Sequence, residues 1–174
     1  MLDFLKILTG YFEENKISYM LSGSVAMSIY SLPRFTRDFD FVVHLQPKDV
    51  PLLMECFKEG YYCDEEAVKE AIKNKGMFNI IDQKSGYKAD FIILKDDPYR
   101  LTEFERRKPV AFLNFQIYLV STEDLIISKL IWIQESRSSL QMEDIKSLLE
   151  LEGLDMAYVR KWISTLKINT FTLI

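Results

Sequence analysis

The sequence predicts an α+β domain, a small mixed and largely antiparallel sheet flanked by helices, with a helical bundle at its C-terminal end. Three observations carry this. Up to about residue 120, apolar runs of strand length, bounded by Gly, Pro and Asp, alternate with segments of helical period. Two such runs, Met77 to Ile81 and Tyr87 to Leu94, flank Asp82-Gln83-Lys84-Ser85-Gly86, a strong hairpin signal. From Ser121 onward the period is helical throughout, which divides the chain into a mixed part (1–120) and a helical part (121–174). With 48% hydrophobic and 13% aromatic residues in 174, the chain can bury a core as one domain, or as one domain with a helical appendage.

In chain order, Leu2, Leu5, Leu8 and Phe12 recur at helical spacing and give an amphipathic helix to about Asn15. Ile17 to Leu21 reads as a short buried strand, Gly23-Ser24 as a turn, and Val25 to Tyr30 as a short helix stopped by Pro33. A second apolar strand ends at Val43. Pro47 to Glu59 reads as a helix with Leu52, Leu53, Cys56 and Phe57 inward and Gly60 at its end. A charged surface helix follows over Asp64 to Lys75, then the hairpin. Tyr99 to Arg107 is helical, with Arg106-Arg107-Lys108 where cations suit the macrodipole. Val110 to Val120 supplies one or two strands, and helices follow over 122–135, 140–151 and 155–166. Trp132 and Trp162 are expected in the core, and Cys56 and Cys63 as reduced, buried thiols of a cytosolic protein.

The stretch from Leu21 to Val43 carries the chemistry. Side chains alternate along a strand, so Asp38 and Asp40 share one face while Phe39 and Phe41 share the other. Two neighbouring carboxylates at the rim of an apolar strand repel each other and resist desolvation. A cation between them relieves both effects, and hard oxygen ligands suit magnesium. Gly23-Ser24 opens a helix whose first N–H groups are unpaired, a natural place for phosphate; it also reads as an ordinary strand-to-helix turn capped by Ser24.

This order of features, Gly-Ser, then Asp-x-Asp, then Asp90 on the later strand Tyr87 to Leu94, resembles the nucleotidyltransferase superfamily of polymerase-beta-like fold. Arg34-Phe35-Thr36-Arg37-Asp38-Phe39-Asp40 is similar to small bacterial proteins grouped with the AbiEii-type toxin nucleotidyltransferases. The resemblance implies transfer of a nucleoside monophosphate from a triphosphate such as ATP to a hydroxyl. It implies two magnesium ions, replaceable by manganese, held by Asp38, Asp40 and Asp90, with Asp90 as general base. Gly23 and Ser24 would hold the triphosphate. Arg34, Thr36 and Arg37 either contact phosphate or balance local charge. Lys129 falls amid the apolar face of its helix, and either reaches the triphosphate or pairs with Asp144. His44, the single histidine, reads as a strand-end residue.

The net charge of −4 argues against broad nonspecific nucleic-acid binding. The amphipathic N-terminus, with an acid at position 3, does not read as a signal peptide, and no run is long enough for a membrane span. The acceptor is left open among an RNA end such as tRNA, a protein side chain and a small molecule. The AbiEii likeness implies a toxin–antitoxin or phage-defence role with a cognate antitoxin. Two other readings stand beside this one: a non-catalytic nucleotide- or protein-binding module on the same fold, and a resistance transferase acting on aminoglycosides or lincosamides. The helices after Ser121 look short for the last.

Overall fold

A computed structural model describes residues 1–31, Pro33 and 36–174 of the chain. Helix α1 (Leu2–Glu14) leads into β1 (Tyr19–Ser22), α2 (Gly23–Tyr30) and β2 (Asp38–Val43). A 3-10 turn (Pro47–Asp49) precedes α3 (Val50–Cys56), β3 (Tyr61–Cys63), α4 (Glu65–Asn74), β4 (Met77–Asp82) and β5 (Lys88–Ile93). Then come α5 (Pro98–Glu105), β6 (Lys108–Phe112), β7 (Phe115–Leu119), α6 (Thr122–Glu135), α7 (Ser139–Leu149) and α8 (Met156–Leu166). Among the described residues the strands form one seven-stranded sheet in the order β3-β4-β5-β2-β1-β7-β6. It is mixed: β2 runs parallel to β5 and β1 to β7, and the remaining pairs are antiparallel.

The register explains the core. Phe41 lies opposite Phe91, and Phe91 opposite Phe78, so three neighbouring strands present an aromatic ring at one level. The rings stack, with centroids 5.6 Å apart for Phe41–Phe91 and 4.9 Å for Phe78–Phe91. Phe12 of α1 meets Phe41 and Phe91 edge-on at 5.5 and 5.9 Å. Each such pair adds about 0.5–1.5 kcal/mol beyond simple burial. This face is therefore sealed, and the alternate residues of β2 and β5 are turned to the other side.

On that other side, α6 is anchored by a buried acid. Ser121 Oγ donates to Asp124 Oδ2 at 2.6 Å and accepts the Asp124 N–H as helix cap. Arg106 Nε reaches the same carboxylate at 2.9 Å, and the Tyr158 hydroxyl donates to Oδ1 at 2.6 Å. The Arg106 guanidinium also lies 3.9 Å from the centre of the Tyr158 ring. One carboxylate thus ties the end of α5, the start of α6 and the start of α8 together.

Several expectations are corrected. The helix after Pro47 is broken into the 3-10 turn and α3, because Pro47 and Pro51 start helical segments and Asp49 turns its carboxylate back onto the Gln46 N–H at 2.8 Å. Leu52 and Cys56 consequently lie exposed, while Leu53 and Phe57 take the inward positions. Cys63 is half-buried on β3, a three-residue edge strand too short to show any period. Trp132 is 64% exposed rather than in the core. The basic run at 106–108 does not simply decorate a helix end, since Arg106 is spent on Asp124 and Arg107 stacks on Phe104.

Candidate active site

Strand period and register bring the acids together. Asp40 and Asp90 occupy the same level on the parallel strands β2 and β5, and Asp38 stands opposite Lys88 two residues before. Ser22, at the end of β1, is level with Asp40, so α2 begins immediately beside it. Gly23 has φ +62°, and a Cβ built on it would stand 1.9 Å from Asp40 Oδ2. Only glycine lets the turn approach the carboxylate this closely. The Ser24 amide then donates to Asp40. Ser24 sits inside the first turn, and Ser22 holds the cap position.

Burial, then the neighbouring Asp90 and more weakly Asp38, push Asp40 above the ordinary carboxylate range; the Ser24 amide and Lys129 act against them. Lys88 is a partner that sequence reasoning missed. Its Nζ lies 2.7 Å from Asp90 Oδ2 and 3.9 Å from Asp38 Oδ1. The hydrogen bond to Asp90, with the charges of Asp90, Asp38 and Asp40, holds the ammonium in its protonated form. A signal was present: Lys88 precedes Asp90 by two residues and so shares its face.

Thr36 lies before β2 rather than on it, and its hydroxyl brackets the Asp38 backbone, accepting from the N–H at 3.3 Å and donating to the C=O at 3.3 Å. Arg37 is exposed at the strand entrance, its carbonyl accepting from the Lys88 amide at 3.1 Å. Arg34 lies outside the described residues. Lys129 is buried and donates to Asp144 Oδ2 and Gln141 Oε1, both at 2.7 Å. The anticipated Asp144 pair is therefore present, and Lys129 still forms part of the wall of a cleft beside Asp40.

That cleft has a volume of about 260 Å³ and runs from Gly23, Ser24 and Asp40 over the apolar floor of Val42, Ile92 and Leu94. Its roof is the α6 stripe Leu125, Ser128, Lys129 and Trp132, spaced as one helix face, which explains the exposure of Trp132 at its rim. At its α5 wall Arg100 Nη1 donates to buried Glu103 and to Ser128 Oγ, both at 2.7 Å. Arg100, Glu103, Ser128 and Gln141 carry no local sequence signal of this role, because nothing local shows that α5, α6 and α7 meet.

Three carboxylates on one face, one of them desolvated and crowded, have the chemistry of a divalent-cation site. Among the described residues no group of three or more His, Cys, Asp or Glu side chains converges closely enough to hold a metal ion. The Lys88 ammonium stands between Asp38 and Asp90 instead. Among the described residues no helix is long and apolar enough to cross a membrane.

No protein-family model matches the chain, and no curated protein matches it significantly. Solved structures do. The antibiotic-resistance factor ANT(2'')-Ia, in its solution structure, aligns with TM-score 0.62 at 14% identity over 94% of this chain and 89% of its own. Its crystal structure with adenylyl-2''-tobramycin gives 0.61 at 12% identity, covering 94% of each chain. The lincosamide antibiotic adenylyltransferase LnuA, lincomycin-bound, gives 0.55 at 13% identity over 84% of this chain and 94% of its own. A nucleotidyltransferase-like protein from Paracoccidioides brasiliensis gives 0.59 at 14% identity, over 94% of this chain and 87% of its own. At these identities the likeness is one of architecture, and over 94% of its length the chain has the nucleotidyltransferase fold.

Proposed function

We propose that the chain is a metal-dependent nucleotidyltransferase that moves a nucleoside monophosphate from a nucleoside triphosphate to a hydroxyl. The observation that supports this most is the pairing of Asp40 with Asp90 on adjacent parallel strands, with Gly23 packed so closely on Asp40 that a Cβ would overlap its carboxylate. The amides opening α2 hold the triphosphate. Asp90 takes the proton from the acceptor hydroxyl as its oxygen bonds to the α-phosphorus and the bond to pyrophosphate breaks. Asp38, Asp40 and Asp90 are the residues that would hold magnesium or manganese, which when bound lowers the hydroxyl pKa and offsets phosphate charge. Lys129, fixed by Asp144 and Gln141, places its positive charge on the cleft wall toward the phosphates.

A small hydroxylated molecule is the acceptor class we favour. The cleft is a pocket of about 260 Å³ lined by the sheet, α2, α5, α6 and α7, and the chain shares its fold with ANT(2'')-Ia, solved with adenylyl-2''-tobramycin, and with the lincosamide antibiotic adenylyltransferase LnuA. Transfer to a tRNA end or a protein, in a toxin–antitoxin or phage-defence setting, is the second reading; it stems from the Arg34–Asp40 segment. A catalytically silent nucleotide-binding module is the third.

Incubating the protein and manganese or magnesium with each of four α-labelled triphosphates, and with aminoglycosides, lincosamides, total tRNA or lysate protein, tests this. Label moving to a small molecule, and lost on Asp40→Asn, is the expected result. Label moving to RNA or protein would shift the reading to the second class. Metal-dependent thermal stabilisation by a triphosphate with no transfer to any acceptor would favour the silent module.

A further inference from the structure

The acids of the site do not stand alone. Lys88 is level with Asp38 across the β2–β5 pair and shares a face with Asp90. Its Nζ is 2.7 Å from one carboxylate and 3.9 Å from the other. The backbone of Lys88 is fixed by the bond from its amide to the Arg37 carbonyl at 3.1 Å, while the side chain keeps 35% exposure against 13% for Asp90. The ammonium thus sits at the open edge of the cluster on a four-carbon stem, between two of the carboxylates that would hold a metal. At Asp40 the charges of Asp90 and Asp38 add to burial in opposing ionisation, and the Ser24 amide and Lys129 act against them.

We propose that Lys88 is an internal counter-ion that holds the acidic site together before the metal arrives and competes with a divalent cation for Asp38 and Asp90. This rests on the reading that those carboxylates, with Asp40, take the metal. Two consequences follow from charge alone. Metal by itself binds weakly, because it must displace a hydrogen-bonded ammonium. A triphosphate relieves the competition by bringing phosphate oxygens to the metal and offering the displaced ammonium a new anionic partner. Metal and nucleotide therefore strengthen each other's binding, and by linkage the effect is the same in both directions.

The test is a manganese titration followed by electron paramagnetic resonance, with and without a non-hydrolysable triphosphate analogue, on the native chain, Lys88→Met, Lys88→Gln, Lys88→Arg and Asp40→Asn. Removing one positive charge at this distance should tighten manganese binding on the order of tenfold in Lys88→Met and Lys88→Gln without nucleotide. Lys88→Arg should behave as the native chain does. The strengthening by the analogue should shrink in Lys88→Met, and the metal-free melting temperature of that variant should fall while its gain on adding manganese grows. Equal manganese affinity in the native chain and both neutral variants, with binding lost in Asp40→Asn, would overturn the role of Lys88 and leave the metal site standing. Manganese binding that Asp40→Asn does not weaken would overturn the metal assignment and this inference with it.

Discussion

Gly23 joins a left-handed backbone, φ +62°, to a close contact in which a Cβ would stand 1.9 Å from Asp40 Oδ2, so that any side chain there must displace Asp40. In Gly23→Ala the αL conformation costs about 1–2 kcal/mol before any clash. The overlap must then push Asp40 off the Ser24 amide. A fall in denaturation midpoint together with loss of transfer is expected; native transfer by this variant would show that the turn tolerates a wider approach. Asp40 itself carries a pH signature. Its carboxyl is held above the ordinary value, first by burial and then by Asp90, so between the unfolded and folded pKa values the folded state binds more protons. The metal-free protein should therefore lose stability as pH rises from the ordinary aspartate value near 4 through the raised one. Asp40→Asn should flatten that limb and raise the melting temperature above it, read by thermal unfolding in chelator.

At the scale of elements, the Asp124 node makes the start of α8 depend on α6. Replacing Asp124 by Ala would leave Arg106 and the Tyr158 hydroxyl facing each other with their shared acceptor gone. Breaking a buried charge pair of this kind costs about 3–5 kcal/mol, near the lower end here because Arg106 is partly exposed. Tyr158→Phe, which removes one donor and keeps the ring under Arg106, should cost about 1 kcal/mol. Chemical denaturation of both variants measures the difference; equal losses would mean that the Tyr158 hydrogen bond carries the whole effect and the Arg106–Asp124 pair adds nothing. The same node shows where sequence reading runs out. The alternation that puts Asp38, Asp40 and Lys88 or Asp90 on one face is local and could be followed residue by residue. That Asp124 is buried, that Trp132 faces a cleft, and that Ser128 meets Arg100 depend on which elements cover α6, and no period within α6 states that. A three-residue strand such as β3 has no period to find.

At the scale of the molecule, the division into residues 1–120 and 121–174 marks a change of pattern, and the packing asks whether it also marks a change in stability. Leu125, Ile126, Ile127, Leu130 and Ile133 of α6 are all at most 1% exposed and belong to the same continuous apolar cluster as the sheet residues Met20, Leu21 and Leu119. The Tyr30 hydroxyl at the end of α2 donates to the Val120 carbonyl at 2.6 Å, at the very junction. Exposing five such side chains would cost roughly 2 kcal/mol each, about 10 kcal/mol together, comparable with the whole stability of a domain this size. A chain ending at residue 120 should therefore fail to fold cooperatively, and the full chain should unfold in one transition seen alike by far-ultraviolet circular dichroism and by tryptophan fluorescence. Both tryptophans, Trp132 and Trp162, lie in the helical part, so fluorescence reports on α6 and α8 while dichroism reports on all elements. Two separated transitions, or a folded 1–120 fragment, would make the helical part an independent unit resting on the sheet; one coincident transition would make the cleft between them a feature of a single cooperative core.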